Sequence, residues 1–128
     1  MSSTVTTRMA TAATRDGEVS GVVLLAEAFP PAFGGSGRWF WESYRRLEWP
    51  ALRVVTTHRC DASAFDASTP LRIDRISLSL RETGIFSWAG LHGYWNVVSY
   101  LKRLNRQSPL SAVHCARCIT EGWAGWLF

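Results

Sequence analysis

The stretch that decides the fold is GVVLLAEAFPPAFGGSGRWFWESYRRL, residues 21–47. Its first part, residues 22–26, is a short continuous apolar run, which predicts a parallel strand buried on both faces. Phe29, Pro30 and Pro31 then carry the chain out into a loop that ends in glycines. From Ser36 onward the period changes. Phe40, Tyr44 and Leu47 fall at helical spacing, Ser36 is placed to cap the helix, and Pro50 closes it. Strand, glycine loop and helix in that order are the opening of an α/β unit.

Working outward, residues 52–57 predict a second strand and the polar residues 58–70 a loop. In residues 71–80 the alternation changes phase: Leu71 and Ile73 share one parity, while Ile76, Leu78 and Leu80 take the other. A bulge or break near Asp74 and Arg75 accounts for the slip. Leu91, Trp95, Val98 and Leu101 recur as the stripe of an amphipathic helix, with Lys102, Arg103 and Arg106 near its negative end. Residues 110–114 read as another strand and residues 120–128 as a last helix. The expected fold is a Rossmann-like parallel sheet with flanking helices, α/β in class. The last apolar element, residues 123–128, has no terminating glycine or polar tail, so the sequence reads as part of a longer chain.

Composition narrows the function classes. The chain has 128 residues, 47% of them hydrophobic, enough to bury one core. Its formal net charge is +4, but the basic residues are scattered, and the densest group is Lys102, Arg103 and Arg106. That describes a mildly basic surface and not a nucleic-acid footprint. No run approaches the ~18–20 apolar residues of a spanning helix, since the most apolar one, residues 21–29, is interrupted by Glu27. Residues 1–19 are rich in Ser, Thr and Ala and carry Arg8 and Arg15 without the apolar segment of a secretory signal, so they read as a disordered leader before a domain at 20–128. Cys60, Cys115 and Cys118, an odd count with no export signal, suit reduced thiols in the cytoplasm.

Three groups carry possible chemistry. Gly34, Gly35, Ser36, Gly37 and Arg38 lie between strand and helix, where glycine admits close backbone approach and the free N–H groups of a helix start attract phosphate. Gly35 and Gly37 occupy the first two positions of GxGxxG, but the third falls on Phe40, and no acidic residue follows the second strand at the ribose position. The GK[ST] ending of a Walker loop is also absent. The same residues equally suit a glycine turn that only fits strand to helix. His114 ends a strand, where side chains of an open parallel sheet face the ligand crevice; it reads either as a substrate-side group or as a histidine that caps the strand. His58 and His92 read as surface residues. Cys115 and Cys118 form a CxxC with no second ligand pair for zinc, so no metal is expected. Glu121, just inside the last helix, fits a helix-start acid or a substrate carboxylate.

Taken together, residues 24–47 (LLAEAFPPAFGGSGRWFWESYRRL) resemble the opening of glycosyltransferase family 4 proteins, with a strand, E-x-F/Y-P-P, a short gap, Gly-Gly and a helix. Residues 111–128 (SAVHCARCITEGWAGWLF) resemble that family's segment in which a strand ends in histidine and a helix opens on glutamate-glycine. The resemblance spans residues 21–128. It implies part of the N-terminal, acceptor-side domain of a two-domain GT-B hexosyltransferase-like enzyme, metal-independent and without cofactor, often retaining. The donor is then a nucleotide-diphosphate sugar and the acceptor a glycan or lipid-linked molecule, met in the cytoplasm or peripherally at the membrane. By position, Gly34 and Gly35, with Ser36, Gly37 and Arg38 beside them, would lie at the donor diphosphate. His114 would border the sugar as the catalytic group, and Glu121 would touch substrate. The family's donor-binding C-terminal domain, with its paired glutamates, has no counterpart in the sequence, so the chain alone is expected to be inactive. A stand-alone nucleotide-binding module and a non-catalytic interaction domain using the tryptophans are the alternatives.

Overall fold

A computed structural model describes residues 21–32, 34–47, 51–78, 87–117 and 120–128. The expected leader, Pro50 as helix stop, Leu80 and Cys118 lie outside the described residues. The element order is β1 (Gly21–Leu25), α1 (Gly35–Tyr44), β2 (Leu52–Thr57), α2 (Ser63–Ser68), β3 (Arg72–Ile76), α3 (Trp88–Gln107), β4 (Leu110–Cys115) and α4 (Thr120–Leu127). The four strands form one sheet in the order β3-β2-β1-β4, and every pairing is parallel. This is the Rossmann-like α/β arrangement that the sequence predicts.

β1 is apolar throughout because both of its faces are covered. Val22, Leu24 and Ala26 pack with Phe40 and Tyr44 of α1. Val23 and Leu25 pack with Tyr94, Val97, Leu101 and Leu104 of α3 and Ala124 of α4. The two layers enclose Val54 on one side and Val55 on the other. Burying a side chain of this size is worth about 1.5–3 kcal/mol, so these two clusters supply most of what holds the strands together.

Four expectations change. Residues 58–70 hold a short helix, α2, in place of an uninterrupted loop. It buries none of its own residues, and it is seated by Asp66, which takes two bonds from Arg75 at 2.7 and 2.8 Å. The second change is that β3 has no break at Asp74 and Arg75; its register runs without a slip from Arg53↔Arg72 to Thr57↔Ile76. The parity change arises because both faces of β3 are used. Ile73 joins the α1-side cluster and Ile76 the α3-side cluster. Asp74 between them accepts from Arg53 at 2.9 Å. The register irregularity falls instead between Gly21 and Val22, where β1 meets β4.

The third change concerns α1, which is capped by Gly34 in extended conformation, with Ser36 already inside the helix. The fourth is the phase of α3. Its buried stripe is Gly90, Tyr94, Val97, Leu101 and Leu104, with Gly93 and Val98 beside it, so Leu91 and Trp95 stand exposed. The N-terminal half of α3 carries apolar residues on more than one arc, and Ser87 caps it, its Oγ accepting from Gly90 N–H at 3.0 Å.

Candidate functional site

In the order β3-β2-β1-β4, the chain leaves β1 toward β2 on the α1 face and returns to the far side of β1 through α3 and β4. The strand order therefore reverses between β1 and β4, and in an open parallel sheet the carboxyl ends at such a reversal flank the ligand crevice. Here that mouth is made by residues 26–29 after β1, Ala116 and Arg117 after β4, and the first turns of α1 and α4.

Backbone bonds hold the floor of the mouth. Ala116 N–H donates to Leu25 O at 2.9 Å, and Ala26 N–H to Val55 O at 3.0 Å. Above it, Glu27 N–H donates to Glu121 Oε1 at 3.1 Å, and Thr56 Oγ1–H to the Glu27 carbonyl at 3.3 Å. Arg117 Nη1 reaches Glu27 Oε2 at 3.5 Å. Glu121 is fully buried. Its carboxylate is thereby fixed across the mouth, tying the first turn of α4 to the exit of β1, and the Arg117 cation offsets part of the negative charge of the two acids. Tyr94 sends its hydroxyl toward the same place from α3; burial, then Glu121 and Glu27, pushes its ionisation above the ordinary value. The same causes, burial first and Glu121 second, push the Cys115 thiol up, which disfavours its thiolate.

The glycines divide into two kinds. A Cβ on Gly37 would stand 2.6 Å from the Ala28 carbonyl oxygen, while Gly34 and Gly35 have open space around theirs. Gly37 thus lets α1 sit directly on the exit loop of β1, and Gly34, Gly35 and Ser36 are exposed above it. The first bond of α1 is from Arg38 N–H to Gly34 O at 3.1 Å, so the amides of Gly35, Ser36 and Gly37 precede the helical ladder and carry its positive end. The Arg38 side chain is exposed beside them.

His114 stands apart from this group. It is the partner of Leu24 in the β1–β4 register and so points to the α1 face, where its ring meets Phe40 edge-on at 5.7 Å and lies 5.6 Å from the ring of Tyr44. Tyr44 Oη and His114 Nδ1 are hydrogen-bonded. The histidine remains exposed at the sheet edge, with Nε2 as its second nitrogen. Glu121 and the glycine segment therefore share the mouth, whereas His114 is set against the middle and end of α1. His58 and His92 are exposed.

Sequence reasoning did not single out Glu27, Arg117, Tyr44 or Tyr94 as site groups. Glu27 did carry a signal, since an acid directly after a fully apolar strand lies at the carboxyl end of the sheet. Tyr44 and Tyr94 were indistinguishable from core aromatics. A cavity of about 240 Å³ lies at the opposite, amino end of the sheet, lined by Gly21, Leu52, Arg53, Arg72, Leu104 and Leu110. Among the described residues no group of three or more His, Cys, Asp or Glu is placed to hold a metal ion, and no helix is long and apolar enough to cross a membrane. No protein-family model, curated protein or solved structure matches the chain.

Proposed function

We propose that this chain is part of the acceptor-side, Rossmann-like domain of a GT-B glycosyltransferase, acting with a donor-binding domain to move a sugar from a nucleotide-diphosphate sugar to a glycan or lipid-linked acceptor. The observation that carries the reading is the placement of the E-x-F-P-P and Gly-Gly segment. It runs from β1 to α1 at the strand-order reversal, with Gly35 and Ser36 exposed at the helix start and the Gly37 amide beneath them.

In this reading the departing diphosphate meets those amides and the Arg38 guanidinium. Such pre-oriented donors answer the charge that develops as the glycosidic bond to the leaving group breaks. Gly37 is a positioning residue, because its missing side chain brings the helix start down onto the β1 exit loop. Glu121 is another, holding Glu27 and with it the rim of the mouth. His114, which Tyr44 holds through Nδ1 on the α1 face apart from the glycine amides, would meet only a sugar that reaches along α1 away from the diphosphate.

Titration of the ¹⁵N-labelled chain with inorganic pyrophosphate, followed by amide chemical shifts, tests this. Saturable shifts at Gly35, Ser36 and Gly37, with no sugar transfer by the chain alone, are expected. Unmoved amides in that segment would sink the diphosphate reading. Tight binding of NAD at the same amides would instead make the chain a stand-alone nucleotide-binding module, and turnover by residues 1–128 would remove the need for a second domain.

A further inference from the structure

We propose that the cavity at the amino end of the sheet binds a small carboxylate with a compact apolar body. The space measures about 240 Å³ and lies between the last turn of α3 and the first residues of the strands. Protein interiors leave few voids larger than one water molecule, so a space of this size is set apart from a packing defect. Its floor is apolar. Val23, Leu52 and Leu104 are buried, and Leu110 lines the same space. The missing side chain of Gly21 keeps the space open, since a Cβ there would stand 3.0 Å from Leu110 Cδ2. The β1–β4 register shifts at the same point, between Gly21 and Val22.

The rim is polar and carries one sign of charge. Arg53 and Arg72 are register partners in β2 and β3, and both line the cavity with Gln107 and Ser108 from the end of α3. Both point to the α3 face, because their neighbours Val54 and Ile73 belong to the α1-side cluster. Two guanidinium groups side by side on adjacent strands repel each other. Arg53 is answered by Asp74, whose Oδ2 accepts from Nη1 at 2.9 Å. Arg72 is exposed and makes no ion pair among the described residues. The backbone donors around the floor are already engaged: Gly21 N–H donates to Pro109 O at 2.8 Å, Val22 N–H to Ala51 O at 3.1 Å, and Leu110 N–H to Asn105 Oδ1 at 2.8 Å. Recognition of an anion therefore falls to the Arg72 fork, whose geometry matches a carboxylate. A nucleotide or sugar phosphate fits poorly, since its hydroxyls would find no partner among Val23, Leu52, Leu104 and Leu110. A hydrocarbon body with a single carboxylate satisfies floor and rim together.

The site is at the opposite end of the sheet from residues 34–38 and does not rest on the diphosphate reading. The test is titration of the ¹⁵N-labelled chain with cinnamate and, separately, with cinnamamide, which keeps the ring and drops the charge. Saturable amide shifts at Gly21, Leu52, Arg53, Arg72 and Leu110 are expected with cinnamate, and the melting temperature should rise with its concentration. Cinnamamide should bind at least about tenfold more weakly, the usual loss of a charge-assisted hydrogen bond. Arg72→Gln should melt at an unchanged temperature, because the side chain is exposed. It should bind cinnamate about as weakly as the native chain binds cinnamamide, and Arg72→Lys, which keeps the charge and loses the fork, should fall between. Equal binding of acid and amide, an affinity untouched by Arg72→Gln, or no saturation by about 10 mM cinnamate would each overturn the proposal. So would shifts at Gly35, Ser36 and Gly37 in place of those at the cavity, which would put the anion at the mouth of the sheet.

Discussion

A single methyl group separates the glycines that open α1. On Gly37 it would press against the Ala28 carbonyl at 2.6 Å, and that neighbour is backbone, which cannot swing away. Gly37→Ala is therefore expected to destabilise the chain by about 1–3 kcal/mol in urea unfolding, the usual range for forcing a group into a filled space. At Gly35 the same methyl meets nothing within 4 Å. Gly35→Ala should be neutral or stabilising by up to about 1 kcal/mol, because alanine restricts the unfolded chain and favours the helix. Equal effects at the two positions would remove Gly37 from its role. The spacing of the glycines was legible in the sequence, but this division was not, since only the path of residues 28 and 29 under the helix creates it. Tyrosine ionisation gives a second check at this scale. Burial, together with the hydrogen bond to Asp74, pushes Tyr100 up to about 12 against the opposing pull of Arg53. A phenol with its folded-state value raised above its unfolded one contributes stability that is fully present below the unfolded value, near 10, and is lost as pH rises through about 12. Absorbance titration at 295 nm should show a late tyrosinate step that Tyr100→Phe removes, with stability falling across that window.

Elements show which arcs of the sequence the sheet selects. In β1, five consecutive apolar residues left no doubt about a strand covered on both faces, and β2 followed by the same logic. In α3 the period was legible and the phase was not, because Trp88, Leu91 and Trp95 offer as apolar an arc as the one that Gly90, Tyr94 and Val97 bury. The helix settles with small residues against the sheet and its tryptophans outward. Leu101→Ala should then cost about 2–5 kcal/mol, as truncation in a filled core does. Leu91→Ala should change stability by less than about 1 kcal/mol. Comparable losses would place the buried arc where the sequence alone put it. α2 escaped sequence reasoning for a different reason. It has no apolar stripe of its own, and it is seated by Phe65 against Phe29 and Trp41 and by Arg75, whose side chain is only 7% exposed and which also donates to the Pro30 carbonyl at 2.7 Å. Asp66→Asn removes the countercharge of a buried cation, and amide exchange across Ser63–Ser68 should quicken more than anywhere else in the chain.

Across the whole molecule, the parallel α/β sheet is what the sequence predicted, whereas the strand order, and with it the mouth between β1 and β4, comes from the structure. The side chains that lock the mouth come from positions too far apart for any spacing rule. Glu27 and Glu121 are joined by one hydrogen bond across 94 residues. That bond matters because β4 is attached unevenly. All five residues of β1 are buried, whereas β4 has no fully buried residue and, among the described strands, pairs with β1 at the end of the order. Seated this way, β4 and α4 take their place from the β1 seam, from the packing of Ala124, Val113 and Phe128 on the core and of His114 on Phe40 and Tyr44, and from the Glu121 carboxylate. Glu121→Ala leaves the Glu27 N–H without that acceptor, a loss of about 1–3 kcal/mol. The loss should fall on one part of the molecule first. Amide exchange of Glu27, β4 and α4 should accelerate at denaturant concentrations where β2 and β3 stay protected, since the second pair keeps its own register and the Arg53–Asp74 contact. Glu121→Gln keeps an oxygen acceptor at the same place and should restore most of the protection. Acceleration spread evenly over all four strands in Glu121→Ala would instead make the sheet a single cooperative unit, with the carboxylate contributing only to its global stability.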